Sequence, residues 1–549
     1  MKNPADIKNK SVLKKYLDVQ PSVFIPSAAI IVVFIAITLV VGEPMEEIFL
    51  TVQHTISENM GWLFILVVNF FLFFMIYLAF SKYGAIRLGG QEAVPEFKRS
   101  AWFAMLFSAG MGIGILFWSV AEPVFHFLEP PISESKSVPA AEESMNFSFL
   151  HWGLHAWGIY ALVGMALAFF SFNRKMPLAI RSVFYPIFGN RIHGLLGHVI
   201  DVLATIATVF GLATSLGFGV RQINSGLNYL FNVAISPDIQ VILIIVITLI
   251  ATGSVVSGLD SGVKRLSELN INLGAILLIF VIIFGPTVFI LDSFGQNLGT
   301  YVESFFYHSF WAESYQRTSW QNDWTIFYWA WWISWSPFVG MFIARISLGR
   351  TIQEFVLGVL IVPTLLTFLW LTAFGGSAVF LELEGVGTVS EIINKDVALS
   401  LFSLLENFPF AYVTNMLAIL LVLSFFVTSS DSGSLVVDMF TSGGKLLTPV
   451  YQRVFWAFSV GGVAAVLLLG GGLKALQTAS IATGLPFALI LVLMSRSLFK
   501  GLRMEHYQML ELRKEKEKES YRELLDEALG KKKKGSDDGD QKSSSSAKE

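Results

Sequence analysis

Apolar stretches of about 20 residues recur along the whole chain, separated by short polar segments. Each is long enough to cross the hydrocarbon core of a bilayer as an α-helix. The pattern predicts twelve membrane helices, at residues 23–42, 61–81, 101–119, 150–171, 197–219, 239–259, 271–292, 324–347, 355–381, 410–437, 454–474 and 477–498. The sequence therefore indicates an all-α polytopic membrane protein, with an N-terminal segment 1–22, a transmembrane domain 23–498 and a C-terminal tail 499–549.

Basic residues collect in alternate loops between these predicted helices. Five lysines precede the first helix, and lysine or arginine follows the second, fourth, sixth, eighth and tenth. The intervening loops are acidic or poor in basic residues, as between Glu43 and Glu58. Since basic loops stay in the cytoplasm, we expect both termini there, as an even helix count requires. We expect a multi-pass protein of the plasma or inner membrane, in contact with lipid and without a nucleic-acid partner.

Composition narrows the class further. The chain of 549 residues is 54% hydrophobic with a mean hydropathy of +0.63, which is more apolar surface than a soluble domain could bury. Outer-membrane barrels have short segments of alternating polarity, and the long apolar runs exclude that class. Cysteine is absent, so disulfides and thiol chemistry are excluded.

Two segments outside the predicted spans differ from the rest. Residues 300–318 are aromatic and amphipathic, and we expect them to lie flat on the outer interface. The tail after about residue 500 first pairs Glu with Lys at helical spacing and then becomes low in complexity, which predicts a helix followed by disorder. This tail either keeps the end of the chain in solution or senses anionic lipids through its consecutive lysines.

The third predicted helix carries glycine at alternate positions, Gly110, Gly112 and Gly114, at mid-membrane depth. Glycine weakens a helix interior, so this spacing needs a reason. One interpretation is close helix packing through the pair Gly110 and Gly114. The other is a locally unwound helix, whose free backbone groups can hold a carboxylate or a cation where they line a cavity.

The eighth predicted helix holds five tryptophans within a dozen residues. At about 100° per residue, Trp331, Trp335 and Phe338 share a narrow stripe, with Trp332 on its flank and Trp329 opposite. An interfacial aromatic belt does not explain tryptophans at this depth. The alternatives are an aromatic-rich packing helix and a wall of a solute pathway.

The fourth predicted helix adds Trp157 and Tyr160 on one face, with Trp152 to one side. Aromatic rings from two helices can form a cage for a cation that donates no hydrogen bonds, as in quaternary ammonium recognition. Few acids are available at this depth, and a cage without a carboxylate suits a zwitterion better than a bare cation. His151 and His155 are expected at a pore mouth or in packing rather than on a metal, since the sequence offers no third ligand.

The tenth predicted helix contains a run of hydroxyls that includes Thr428 and Ser429. Oxygen ligands suit sodium, a hard cation, and Ser108 and Met111 of the third helix lie at a similar depth. The alternative is hydroxyl contact between packed helices.

Two charged residues suggest gating. Arg345 lies on the tryptophan stripe near the cytoplasmic end of the eighth helix, and Asp431 follows the hydroxyl run. Charged groups within membrane helices mark pathways or pair with one another, so we expect Asp431 to meet a cytoplasmic-side arginine.

The segment from Asp323 to Trp332, followed by SWSPFVGMFIARIS, resembles the betaine/carnitine/choline transporter family. AGMGIGILFW of the third helix, AEP at 121–123, Trp-x4-Trp-x2-Tyr of the fourth and TSSDSGS of the tenth match as well. The likeness covers about residues 20–500 and is closest to sodium-coupled glycine betaine carriers. It implies a LeuT-like fold of two inverted five-helix halves, helices 3–7 and 8–12, with two extra N-terminal helices. It also implies alternating access and a homotrimer.

The resemblance assigns residues to sites. The family's aromatic box and the path beside it are matched by Trp152, Trp157, Tyr160, Trp331, Trp332 and Trp335, with the backbone of Met111, Gly112 and Gly114 at the substrate carboxylate. The sodium site is matched by Ser108, Met111, Phe425, Thr428 and Ser429, and a second ion site by Thr208 and Phe338.

The sequence departs from the family pattern at three places. Leu212 stands where the second ion site has a hydroxyl, which puts that site in doubt, and Leu348 replaces an arginine after the eighth helix. Gly114 stands where choline carriers often have aspartate, which favours a zwitterion.

We therefore expect a secondary transporter that imports glycine betaine or a similar osmolyte by sodium symport, for osmoprotection. Proton-coupled choline uptake, carnitine exchange and uptake of ectoine or dimethylsulfoniopropionate remain alternatives within the family. A channel would need a continuous polar pore, which the tryptophans interrupt. An enzyme would need a nucleophile–base or metal group, which the sequence does not suggest. No cofactor is expected besides sodium as the coupling ion.

Overall fold

The computed structural model describes the backbone of residues 17–110, 112–256 and 260–543. It describes their side chains except at residues 107–110, 254–255, 260–265 and those after 527. Within these ranges the regular structure is helical, and the only β-pairing is an isolated antiparallel bridge between Arg87 and Thr351. The all-α prediction is confirmed for the described residues.

Nine helices occupy the N-terminal part of the chain. They are α1 Pro21–Val41, α2 Met45–Phe80, α3 Arg99–Gly110, α4 Ile113–Leu128, α5 Val138–Trp152, α6 Leu154–Ala168, α7 Tyr185–Phe188, α8 Leu195–Phe231 and α9 Pro237–Val256 within the described ranges.

Nine more follow in the described C-terminal part. They are α10 Asp260–Phe284, α11 Thr287–Phe310, α12 Phe327–Arg345, α13 Ile352–Leu371, α14 Ser377–Leu383, α15 Val389–Ile393, α16 Ser400–Glu406, α17 Ala411–Thr441 and α18 Val450–Ser543. Turns of π-helix occupy Phe169–Asn173, Asn322–Ile326 and Thr372–Gly376, and 3₁₀ turns Ile180–Phe184, Gly189–His193 and Val397–Leu399.

The twelve predicted spans overlap these helices, and eight helical stretches of the described chain are long and apolar enough to cross a membrane. The spans predicted at 454–474 and 477–498 lie in the single helix α18, which is interrupted by non-helical Gly471 and Gly472. Several boundaries were wrong. The span predicted at 271–292 ends at Phe284, because Gly285 and Pro286 interrupt it. The expected interfacial segment 300–318 is also wrong in extent: its helix, α11, begins at Thr287, ends at Phe310 and leaves residues 311–318 non-helical.

Burial separates central from peripheral helices. In the stretch Val138–Asn173, which contains α5 and α6, 94% of the most apolar window is buried, against 22% in Pro21–Val41. α6 packs against α2, α12 and α13, and α12 also packs against α8. The helices that carry the tryptophan clusters therefore lie at the centre of the bundle, where their rings face other helices.

α12 passes through Pro337 without ending. Proline has no backbone N–H, so the carbonyl of Ile333 loses its usual partner one turn later. The hydroxyl of Ser336 donates to that carbonyl at 2.7 Å instead. The helix continues to Arg345, so the tryptophans before the proline and Phe338 after it stay on one element.

The loop after α2 and the turn after α12 are joined by their backbones. Leu88 N donates to Arg350 O, and Gly349 N to Leu88 O, each at 2.9 Å. Arg350 is 3% exposed, and its guanidinium donates to Phe97 O at 2.5 Å and to Glu354 at 2.8 Å. We call residues 86–90 and 349–352 the loop clamp.

The chain divides into two compact units, Met1–Leu498 and Phe499–Glu549. The first contains all the residues discussed below. In the second, the described side chains are mostly exposed and charged. The helix continues to Ser543, within the part of the tail for which the sequence predicts disorder, and residues 544–549 lie outside the described chain.

Candidate binding site

The glycine-rich stretch interrupts the predicted third helix. α3 ends at Gly110, α4 begins at Ile113, and Gly112 between them is extended, with φ −155° and ψ −165°. Of the two interpretations of the glycine spacing, local unwinding agrees with this break. The side chain of Ser108 and the whole of Met111, both expected at the sodium site, lie outside the described residues.

Gly114 allows two tryptophans to approach the backbone of α4. A Cβ here would lie 2.6 Å from Cη2 of Trp331 and 3.3 Å from Cη2 of Trp152, so any side chain would displace both rings. At Gly112 a Cβ would lie 3.7 Å from Cη2 of Trp335, an ordinary contact. The glycine stretch thus forms one wall of the tryptophan cluster.

Rings from α5, α6 and α12 meet beside this wall. Trp152 lies edge-on to Trp332, with centroids 4.9 Å apart and planes at 68°. Tyr160 lies 6.3 Å from Trp332 and 6.2 Å from Trp335, and Trp157 lies 5.6 Å from Tyr160. These rings are steeply inclined to one another and pack edge to face. We call Trp152, Trp157, Tyr160 and Trp332 the aromatic box.

Two further tryptophans take separate positions. Trp331 stacks on Trp332 at 4.6 Å and 17°, which adds a second layer to the box. Trp329, predicted to point away from the stripe, stacks on His155 at 5.4 Å and 23°. The six predicted box and path rings are all buried, and the most exposed, Trp335, is 7% exposed.

A carboxylate that we did not single out from the sequence lies behind the box. α4 extends to Leu128, so Glu122 is inside it and fully buried. Glu122 Oε2 accepts from Trp152 Nε1 at 2.6 Å, and Oε1 lies 2.6 Å from His151 Nδ1 and 3.3 Å from His126 Nε2. The expectation of a cage without a nearby acid is wrong, because the predicted helix ended at residue 119.

The two predicted histidines are buried in the bundle, so neither lies at a pore mouth. His155 Nε2 lies 3.1 Å from Asn69 Oδ1, which is the predicted packing role. His151 forms a group with Glu122 and His126, whose ligand atoms lie within 4.8 Å of one another. The third ligand that the sequence did not reveal is therefore present.

A cavity of about 510 Å³ lies between Trp335 and the hydroxyl run of α17, and its described lining contains none of the four residues of the aromatic box. The predicted residues in its lining are Gly112, Trp335, Phe338, Phe425, Thr428 and Ser429. α10 adds Ser267, Glu268 and Asn270, which we had not predicted from the sequence. Residues from the predicted substrate and sodium sets thus line one space.

Thr428 brings oxygen atoms together at the edge of this cavity. Its Oγ1 lies 3.0 Å from Ser424 O and 3.1 Å from Phe425 O. Asn270 Nδ2 donates to the same Oγ1 at 3.1 Å. Hydroxyl and carbonyl oxygens are the ligands that a hard cation prefers, so this edge has suitable chemistry for sodium.

The two residues matched to a second ion site are placed differently. Phe338 lines the cavity, whereas Thr208 is absent from the described lining. Thr208 is fully buried, and its Oγ1 donates to Ala204 O of its own helix at 2.7 Å. The absence of Thr208 from the described lining is in keeping with the doubt that Leu212 raises.

Ion pairs join neighbouring elements of the bundle. Asp431 forms the expected pair with an arginine: Arg453 Nη2 lies 3.1 Å from its Oδ1. Arg345, predicted to gate, has an exposed side chain at the end of α12. Elsewhere, Lys474 Nζ lies 2.9 Å from Asp323 Oδ1, beside a second cavity of about 500 Å³.

Comparison with known proteins places these features in a family. The family model of betaine/carnitine/choline family transporters matches residues 22–507. The chain is 45% identical over 496 residues to a glycine betaine transporter of Acinetobacter baylyi, covering 90% of this chain and 75% of that protein.

Two proteins of Vibrio parahaemolyticus are also similar. A glycine betaine/proline/choline transporter is 45% identical, with 88% of this chain and 90% of the relative covered. A glycine betaine/proline/choline/ectoine transporter is 46% identical, with 90% of this chain and 89% of the relative covered. The family model and these relatives span both the ring cluster and the cavity.

Proposed function

Because this chain belongs to the betaine/carnitine/choline transporter family, we propose that it imports a quaternary-ammonium zwitterion, with glycine betaine first, by sodium symport. One observation carries the proposal: buried rings of α5, α6 and α12 pack edge to face beside an unwound glycine stretch, next to a cavity that Trp335 lines. The physiological role that follows is osmoprotection.

The aromatic box suits the trimethylammonium end of betaine. That group is positively charged and has no N–H, so it gains nothing from hydrogen-bond acceptors in the wall. Indole faces attract it through their quadrupoles, and the attraction is stronger where water is excluded. The low exposure of Trp152, Trp157, Tyr160 and Trp332 provides that exclusion.

The carboxylate end of betaine meets the start of α4 in this proposal. The first N–H groups of a helix have no partner within it and carry partial positive charge. α4 begins at Ile113, directly after the extended Gly112, so these donors lie beside the rings. A broken membrane helix can hold an anionic group in this way.

Sodium occupies the oxygen-rich edge of the cavity in this proposal, held by Thr428, Ser429 and the carbonyl of Phe425, together with the third-helix residues. Sodium and betaine then favour the same conformation, and each raises the affinity for the other. Thr208 and Phe338 are not included as a second sodium site.

The wider arrangement follows the same family. We propose twelve membrane helices, arranged as two inverted five-helix halves that follow two extra helices. We also propose that both termini are cytoplasmic and that the protein forms a homotrimer. The lysine-rich tail contacts anionic lipids on the cytoplasmic side. None of these features is needed for the test of transport itself.

Uptake by the purified protein in proteoliposomes tests the proposal. Labelled betaine should accumulate with an inward sodium gradient and should not accumulate when potassium replaces sodium. Labelled choline and ectoine should be weaker substrates. Both compounds are tested because the two Vibrio parahaemolyticus relatives have names that include choline, and one of the names includes ectoine. Choline accumulation driven by a proton gradient, or carnitine exchange without sodium, would replace sodium symport of betaine as the function.

A further inference from the structure

The carboxylate of Glu122 is the closest buried charge-bearing group to the aromatic box. It lies in α4, has no exposure, and accepts the indole N–H of Trp152 at 2.6 Å. Trp152 is a wall of the box, 4.9 Å from Trp332. In the proposed function, the faces of these rings contact the substrate, and Glu122, which accepts from the indole N–H of Trp152, has no role.

Hydrogen-bond counting indicates the protonation state of this group. An indole N–H can only donate, so Oε2 of Glu122 accepts from Trp152. His151 Nε2 lies 2.9 Å from Thr325 Oγ1. If that hydroxyl donates to Nε2, His151 Nδ1 carries a proton and donates to Glu122 Oε1. In this arrangement, with His126 Nε2 also facing Oε1, both carboxylate oxygens accept, as those of an ionised group do.

The same unit also fixes the second tryptophan of the box. Trp332 Nε1 donates to the backbone carbonyl of His151 at 2.7 Å. His151 and Trp152 are neighbours in the chain, and both are held by Glu122. The carboxylate therefore fixes the orientation of two walls through one dipeptide.

We infer that Glu122 is a positioning and charge-selecting residue of the binding site, an inference that rests on the proposed function. A negative charge at the indole edge makes the ring face more negative, which strengthens its attraction for a cationic head group. The site should then distinguish a quaternary nitrogen from a neutral carbon of the same shape. A cage of neutral, unpolarised rings would do so less strongly.

A metal ion is a weaker explanation of the cluster. Two ligands of one tetrahedral zinc lie about 3.3 Å apart, given metal–ligand distances near 2.0–2.1 Å. His151 Nδ1 and Glu122 Oε1 are 2.6 Å apart, which is a hydrogen bond. Zinc added to the purified protein should therefore leave betaine binding unchanged.

The decisive measurement compares betaine with 3,3-dimethylbutyrate, in which carbon replaces the quaternary nitrogen. Competition against labelled betaine gives the affinity ratio of the two compounds. Glu122→Gln keeps an acceptor for Trp152 and removes the charge. We expect the ratio to fall about tenfold in this variant, with the melting temperature nearly unchanged.

Glu143→Gln is the matched control. Glu143 is another buried carboxylate, on α5, and it accepts from the backbone N–H groups of Ile132 and Ser133, each at 2.9 Å. It lies nine residues before Trp152 on the same helix, and its described partners are Ile132 and Ser133 rather than the box rings. Its substitution should leave the affinity ratio at the unmodified value.

Trp152→Phe provides a second test if Glu122→Gln does not fold. Phenylalanine keeps a ring face but cannot donate to Glu122, so the ratio should fall by a similar factor. If both variants fold, the double variant should lower the affinity ratio little further than either single variant does, because both substitutions break the same interaction.

An unchanged ratio in folded Glu122→Gln, or multiplicative effects in the double variant, would overturn this inference. Failure of the proposed function would be different: the unmodified protein would bind no betaine at all. The measurement on the unmodified protein therefore separates the two failures.

Discussion

At the scale of single residues, the box depends on a missing side chain at Gly114. A methyl group there would lie 2.6 Å from the ring of Trp331. Gly114→Ala should therefore displace the rings and reduce betaine affinity by tenfold or more, measured by binding to the purified protein. Gly295→Ala is the control, since a Cβ at this helical glycine meets nothing within 4 Å. Equal affinities of the two variants would contradict the close approach.

Trp332 contacts two other rings of the box, Trp152 and Tyr160. Trp332→Ala should raise the apparent KM for betaine strongly or abolish uptake, because it removes the wall opposite Trp152. Trp62→Ala removes an indole that is 56% exposed and should leave uptake near normal. The readout is initial uptake rate against betaine concentration. Near-normal KM in Trp332→Ala would count against the box.

At the scale of elements, α17 contributes hydroxyls to the cavity. Thr428→Ala combined with Ser429→Ala should raise the sodium concentration needed for half-maximal uptake, since two oxygens are lost from the cavity edge. Thr414→Ala is the control on the same helix, because its hydroxyl lies 3.1 Å from Ala411 O and outside the described cavity lining. An unchanged sodium dependence in the double variant would remove this site from the mechanism.

The helices could largely be predicted from the sequence, and the errors have identifiable causes. Gly285 and Pro286 break a continuous apolar run, and hydropathy alone does not register that break. The third predicted helix ended at residue 119, although α4 continues through Pro123 to Leu128. Glu122 therefore lay beyond the predicted span.

The ring cluster could be predicted in part. Helical phase placed Trp331 and Trp335 on one stripe, because the period of a helix is fixed. Phase does not show which side chain of another helix lies behind a ring. The contact of Glu122 with Trp152 joins positions 30 residues apart across two helices, so it needed the packed structure. AEPVFH was the available signal, since it places an acid and a histidine at i and i+4.

At the scale of the whole molecule, the absence of cysteine permits a direct test of topology and access. Ser432→Cys places a thiol in the cavity beside α17, and Thr51→Cys places one in the second cavity near Lys474. A membrane-impermeant maleimide should label Ser432→Cys only from the cytoplasmic side and Thr51→Cys only from outside. The unmodified protein gives the background, and the reverse pattern would contradict the proposed orientation.

The loop clamp constrains how a solute can leave towards the basic loops. Three backbone hydrogen bonds and the contact of Arg87 Nη1 with Gly349 O, at 2.6 Å, make the two loops move as one piece. Opening a gap along that seam would break all of them together. On the side of α10 and α17, the cavity is lined by the hydroxyls of Ser267 and Ser432. We expect a solute to leave past these hydroxyls while the loop clamp stays closed.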